Sequence, residues 1–205
     1  MFLEFLQILI VLFFAVVFHE CAHGWVAYRL GDPTAKQAGR LTLNPLKHID
    51  PIGMIVVPLV LKLLQFKFVI GWAKPVPVNF NNLRRPRRDM IWVALAGPAT
   101  NFTLAVVLSR FLPLARSAFV YETLALAVLI NLIVGCFNLV PIPPLDGSRV
   151  VMGLVPVRIG RQMARLEPYG MIILLVLLNV GLLNFLWVLA ALGAVLLNVD
   201  LSLIS

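Results

Sequence analysis

The sequence predicts an all-α polytopic membrane protein with about four full transmembrane helices, plus a re-entrant or short β-hairpin segment near residues 51–80. Three observations carry that prediction. Of 205 residues, 61% are hydrophobic and 13% charged, and the mean hydropathy of +0.97 lies well above that of a soluble domain. Four uncharged or nearly uncharged stretches approach bilayer length, where a crossing helix needs roughly 20 residues. The basic residues, finally, gather between those stretches rather than in them. The expected organisation is one integral-membrane domain, 1–205, with no separate soluble catalytic or receptor domain.

The first apolar run extends from Phe5 to about Tyr28 and is interrupted by His19, Glu20 and His23. A cleaved signal peptide is the competing reading. The start Met1-Phe2-Leu3-Glu4 has no basic residue and the run exceeds a typical signal core, so a permanent helix is expected. Residues 90–109, 123–145 and 168–199 carry no charge. The last is longer than one perpendicular helix needs and is interrupted by Asn179, Asn184 and Asn198, so tilt or a kink is expected to absorb the excess. Pro51–Leu61, bounded by Asp50 and Lys62 and holding Pro58, fits a re-entrant or interfacial segment better than a crossing. Around Gly71 and Pro75, the residues Phe66, Phe68, Ile70 and Val76, Val78, Phe80 alternate with period two, as short strands or a hairpin would. A loop on the interface competes closely with that reading.

Residues 28–89 hold eleven Lys and Arg, residues 142–167 four, and the 110–117 turn two. The positive-inside rule therefore makes the two larger basic loops cytoplasmic and puts both termini outside. That topology explains the net charge of +8 without a nucleic-acid partner. Cys21 and Cys136 lie inside apolar segments without CxxC spacing, which argues against a disulfide framework or a Cys-based zinc site. Trp25 and Tyr28 fit an interfacial belt.

His19-Glu20-Cys21-Ala22-His23 is an HExxH sequence. At 3.6 residues per turn the two imidazoles project from one helix face and can share a metal ion, for which Zn²⁺ is the natural choice. Glu20, rotated around the helix, can reach a water at that ion. Two His and a Glu at membrane depth are costly, which favours function over a structural pair satisfied by neighbouring helices. A third ligand is needed. Glu122 and Asp200 flank spans on the outer side, and Asp32, Asp50 and Asp89 lie in or beside the basic loop. Asp146 is the better candidate: Pro141, Pro143 and Pro144 should open the chain just before Leu145-Asp146-Gly147 on the side where His23 lies. The alternative is a solvated Asp at a prolyl span terminus. His48, between Pro45 and Pro51, reads as an interfacial loop residue, and Cys21 as packing on another helix face. Asn138 and Asn101 can each steady substrate backbone or a developing oxyanion; helix-to-helix hydrogen bonding competes evenly, and Asn101 suits packing better.

Phe18-His19-Glu20-Cys21-Ala22-His23-Gly24 and Asn138-Leu139-Val140-Pro141-Ile142-Pro143-Pro144-Leu145-Asp146-Gly147 together resemble the zinc-helix and Asp motifs of the site-2 protease family of intramembrane zinc metalloproteases. Gly39-Arg40-Leu41-Thr42-Leu43-Asn44-Pro45, Gly71-Trp72-Ala73-Lys74-Pro75-Val76-Pro77-Val78-Asn79 and Ala96-Gly97-Pro98-Ala99-Thr100-Asn101 follow the family in the same order. The resemblance spans nearly the whole chain and is to the short type, without PDZ or CBS domains. It implies one zinc held by His19, His23 and Asp146, water activated by Glu20, and cleavage of transmembrane protein or peptide substrates near the cytoplasmic side of a bacterial or archaeal cell membrane. A membrane metal transporter and a non-catalytic binder of membrane partners are the alternatives, and intact Glu20 favours catalysis over both.

Overall fold

The computed structural model describes residues 2–65 and 73–200. Helix α1, Phe2–Arg29, is followed by a single turn, α2, Thr34–Gln37, and by a 3₁₀ turn at Pro45–His48. Residues Ile52–Val56 form a π-turn that runs into α3, Val57–Leu63. Pro58, near the start of α3, has no N–H to return, and the wider turn stands where an i→i−4 bond is missing. The long helices α4, Pro86–Ser109, and α5, Ala118–Asn138, come next. They are followed by α6, Asp146–Leu154, α7, Val157–Ala164, α8, Gly170–Asn179, and α9, Phe185–Leu196.

Among the described residues, three helices are long and apolar enough to cross a bilayer: Leu6–Arg29, Pro86–Leu114 and Ala118–Asn138. The fourth full span expected over 168–199 is instead two short helices, α8 and α9. Its break has a local cause. Gly181, at φ +79°, ends α8 in a Schellman motif, with Gly181 N–H on Leu178 O at 3.1 Å and Leu182 N–H on Leu177 O at 3.0 Å. A run without charges thus contains a helix terminator that hydropathy does not register. The third span also differs from expectation: it begins at Ala118 behind a Ser117 cap and stops at Asn138, ahead of the prolines.

No strand occurs among the described residues. The chain from 73 to 79 has no regular secondary structure, and the other half of the expected hairpin, 66–72, lies outside the described residues. Helix α4 is the hub, packing on α1, α5 and α6. Small side chains let the long helices approach: Ala105, Ala125, Ala190 and Ala194 are fully buried in the cluster joining α4, α5 and α9. Outward, Ile8, Leu9, Ile10 and Phe14 of α1 and Phe185, Trp187, Val188 and Leu192 of α9 are exposed. So large an apolar surface is at home in lipid rather than water. At the cytoplasm-facing end expected for α1, the Arg29 guanidinium lies 5.5 Å from the Trp25 ring and the Lys36 ammonium 4.5 Å from the Tyr28 ring.

One buried acid ties the long basic loop to the end of α1. Asp32 is fully buried. Its Oδ1 accepts from Thr34 N at 3.1 Å, from Asn82 Nδ2 at 2.9 Å and from the Thr34 hydroxyl, while Oδ2 accepts Asn79 N–H at 2.7 Å. Burial alone raises its pKa, but these donors outweigh burial and hold the carboxyl below its ordinary value. A group lowered on folding stabilises fully above its unfolded pKa of about 3.9 and loses that contribution as pH falls through the folded value. Asp32→Ala, which strands several buried donors at about 1–3 kcal/mol each, should lower the melting temperature in detergent at pH 7. Asp32→Asn should flatten the loss of stability that the native chain shows below about pH 4.

Candidate metal centre

Helix α1 presents His19 and His23 one turn apart, both buried, against α4. Their Nε2 atoms are 3.0 Å apart, and the rings meet edge to face. The third group arrives from the other end of the sequence. After α5 stops at Asn138 the chain turns through the prolines, and α6 begins on Asp146, whose Oδ2 stands 3.0 Å from His19 Nε2 and 3.2 Å from His23 Nε2. The tightness of that turn depends on Gly147, where a Cβ would collide with the backbone of Leu139 and Val140. The three residues that the sequence singled out as metal ligands therefore converge, and they form the only such cluster of His, Cys, Asp and Glu among the described residues.

The hydrogen bonds behind the two rings decide what the cluster offers. His23 Nδ1 lies 2.7 Å from Val93 O. A carbonyl only accepts, so His23 carries its proton on Nδ1. His19 Nδ1 lies 2.6 Å from Asn101 Oδ1 and is likewise the donor. Neutral rings in these tautomers turn bare Nε2 lone pairs towards one another and towards Asp146 Oδ2, a buried oxygen that no hydrogen bond satisfies. Lone pairs so placed repel unless a cation sits among them. Three donors 3.0–3.2 Å apart fit the surface of a sphere of about 2 Å radius, the length of Zn–N and Zn–O bonds. The space is kept by Gly97 of α4: a Cβ there would come within 2.5 Å of Nε2 of both histidines. Donor set, orphaned oxygen and reserved volume all fit zinc.

Glu20, beside His19, is not in that cluster. Its Oε2 accepts Val76 N–H at 2.8 Å, from the segment that follows residue 73. The segment is held before that bond, where Arg40 donates to Lys74 O at 2.7 Å and Lys74 N–H donates to His48 O at 2.9 Å, and after it, where Asn79 N–H donates to Asp32 Oδ2 at 2.7 Å. His48, in the turn Pro45–His48, is fully buried, with Nε2 2.9 Å from Thr42 O. Cys21 donates to the same carbonyl at 2.7 Å and takes no part in the cluster.

Asn101, expected either to face substrate or to bond between helices, takes the second course. It is fully buried, and its amide hydrogens go to Ala15 O at 3.2 Å and Asn131 Oδ1 at 2.9 Å. No donor remains for an oxyanion. Asn138 ends α5 half-buried, its amide donating to Val134 O at 3.0 Å within its own helix. Asn131, which nothing in a motif marked, completes the polar group behind His19; a polar residue at a buried helix position was its only trace in the sequence. A cavity at the α4–α5 turn, lined by Arg116, Tyr121 and Glu122, contains none of these residues.

The comparisons with known proteins agree with this chemistry. Residues 112–181 match the description "Peptidase family M50". Over 181 residues the chain is 41% identical to "Putative zinc metalloprotease YwhC" of Bacillus subtilis, covering 83% of this chain and 78% of that protein. It is 31% identical over 170 residues to the similarly named Rip2 of Mycolicibacterium smegmatis, 81% of this chain and 64% of that one. It is 25% identical over 154 residues to "Zinc metalloprotease MJ0392" of Methanocaldococcus jannaschii, of which it spans 35%. No solved structure matches the chain. Similarity at this level over most of both sequences, joined to apolar helices of spanning length, means that the chain belongs to peptidase family M50, the site-2 protease family of membrane zinc metalloproteases.

Proposed function

We propose that the protein is an intramembrane zinc endopeptidase that hydrolyses peptide bonds within or near the transmembrane segments of membrane-protein substrates. The convergence of His19, His23 and Asp146 at 3.0–3.2 Å beside Glu20 carries the reading. His19, His23 and Asp146 hold the zinc, which when bound supplies a Lewis acid that acidifies water and polarises the scissile carbonyl. Glu20 takes a proton from the attacking water as the new C–O bond forms. It returns that proton to the departing amine as the C–N bond breaks. The bond from Val76 N–H occupies Oε2 and leaves the second carboxylate oxygen for this traffic. Asn138, at the end of α5, is our candidate for steadying substrate backbone, exchanging its bond to Val134 O for one to the substrate.

Sidedness follows from charge. The HExxH end of α1, the arginines that lead into α4 and the start of α6 lie together, and the Arg87 guanidinium donates to Val155 O just beyond α6. Basic residues crowd this end, which supports a cytoplasmic-facing site with both termini outside. Helices α8 and α9, with 10 and 12 residues, have a combined length of about 33 Å at 1.5 Å per residue, enough to serve together as a broken fourth crossing of the single domain.

Purified protein in detergent should carry one zinc per chain and cut transmembrane peptides. Glu20→Gln should keep its zinc while cleavage falls by about 10²–10⁴-fold, and Asp146→Ala should lose both. Zinc flux in sealed vesicles without fragments would instead favour a transporter, and stable substrate capture without fragments a silent binder. Gly97→Ala offers a complementary check: the added methyl fills the ion's place, so zinc content should drop to background with helical content by circular dichroism unchanged. Native zinc stoichiometry in that variant would remove the metal from this position.

A further inference from the structure

The polar contacts behind His19 have a direction, and that direction runs across three helices. Asn131 Nδ2 donates to Ala127 O at 2.8 Å, within α5. The carbonyl only accepts, so the Asn131 amide is oriented with Oδ1 outward. That oxygen receives Asn101 Nδ2 at 2.9 Å, and the second hydrogen of the same amide goes to Ala15 O on α1 at 3.2 Å. Two acceptors on its nitrogen side leave Asn101 Oδ1 facing His19 Nδ1 at 2.6 Å. Amide and imidazole orientations are ordinarily interchangeable on shape alone. Here backbone carbonyls at Ala127 and Ala15 fix every one of them. Were the Asn101 amide reversed, its oxygen would meet Ala15 O and Asn131 Oδ1, and its nitrogen would demand a lone pair from His19 Nδ1. The proton would then sit on His19 Nε2, where a metal ligand cannot carry one. Both asparagines are almost wholly buried, so water cannot make the choice in their place.

We propose that Asn131 and Asn101 form a positioning relay that locks His19 in the Nδ1–H tautomer, Asn131 setting the orientation of the Asn101 amide and Asn101 presenting an acceptor to the ring. The relay rests on the zinc-site reading, and zinc affinity rather than turnover tests it. Outer partners of metal-bound histidines characteristically contribute 10–100-fold in affinity.

Zinc binding is measured on the full-length protein in detergent, by competition with a chromogenic chelator. Substitution with Co²⁺ adds a visible spectrum that reports ligand number, and circular dichroism reports the fold. Asn101→Leu, close in volume but without an acceptor, should weaken zinc by 10–100-fold and alter the cobalt spectrum. Asn101→Asp keeps an acceptor for the ring whichever way it turns, at the cost of setting an oxygen against Ala15 O and Asn131 Oδ1, and should hold zinc more tightly than Asn101→Leu. A packing role predicts the reverse order. The sharper test is a double substitution. Asn131→Leu alone should cost about tenfold, and in the Asn101→Asp background it should cost nothing, because a carboxylate has no wrong orientation to prevent. An equal cost in both backgrounds, or native affinity and spectrum in a folded Asn101→Leu, overturns the relay. If Asn101→Leu does not fold, the two measurements of Asn131→Leu decide. Absence of zinc from the native chain counts against the zinc-site reading; native zinc with an indifferent Asn101 counts against the relay alone.

Discussion

Two imidazole lone pairs and a carboxylate oxygen held within hydrogen-bond distance of one another repel unless positive charge lies between them. Much of the structure around the site is what it takes to keep them there. The Nδ1 protons are committed to Asn101 and to Val93 O, so the rings cannot relieve the repulsion by exchanging tautomers. The backbone that carries Asp146 is held in place, because the turn that delivers it is closed by backbone packed on Gly147. The histidines sit one turn apart on a helix pressed against α4. The arrangement stores its repulsion for a ligand that removes it, which couples metal binding to stability.

Helix α4 contributes no ligand, yet it defines the site. It supplies the acceptor for His23, the amide for His19, the missing side chain at Gly97, and the packing surface for both α1 and α6. Around this centre the long basic loop works in a more polar setting. Buried Asp32 ties the end of α1 to residues 79 and 82, and Arg40 and His48 hold the preceding stretch against Glu20. The carboxylate of Glu20 is thus positioned by the loop and the histidines by the helices. Glu20 and His19 answer to two separate mechanical systems that meet on adjacent residues of α1.

What the sequence made legible depended on how local the governing interaction is. His19 and His23 declare themselves because the helical repeat alone brings them together. Asp146 was reachable because prolines and charge topology limit where its carboxylate can go. Gly181 was harder: the hydropathy of 168–199 has no gap, and the terminator acts through backbone conformation, not polarity. Of the hairpin expected over 66–80, only the second half lies among the described residues, and there alternation marks a strap bonded to side chains and a loop carbonyl, without a sheet partner among those residues. Asn131 was invisible for a third reason. Its meaning lies in a contact with a residue 30 positions away on another helix, and an asparagine in an apolar run looks the same whether it orients a ligand or merely joins two helices.

Gly97 gives the site a distinctive fragility. The place where the three donors converge is one that a single added carbon would enter, 2.5 Å from Nε2 of both histidines. A single-nucleotide change in that codon, from glycine to alanine, would set a methyl carbon against the metal-facing nitrogens of both rings while leaving every ligand in the sequence. Descendants that retain the HExxH letters but have lost the chemistry would be recognised less by their histidines than by the residue that faces them.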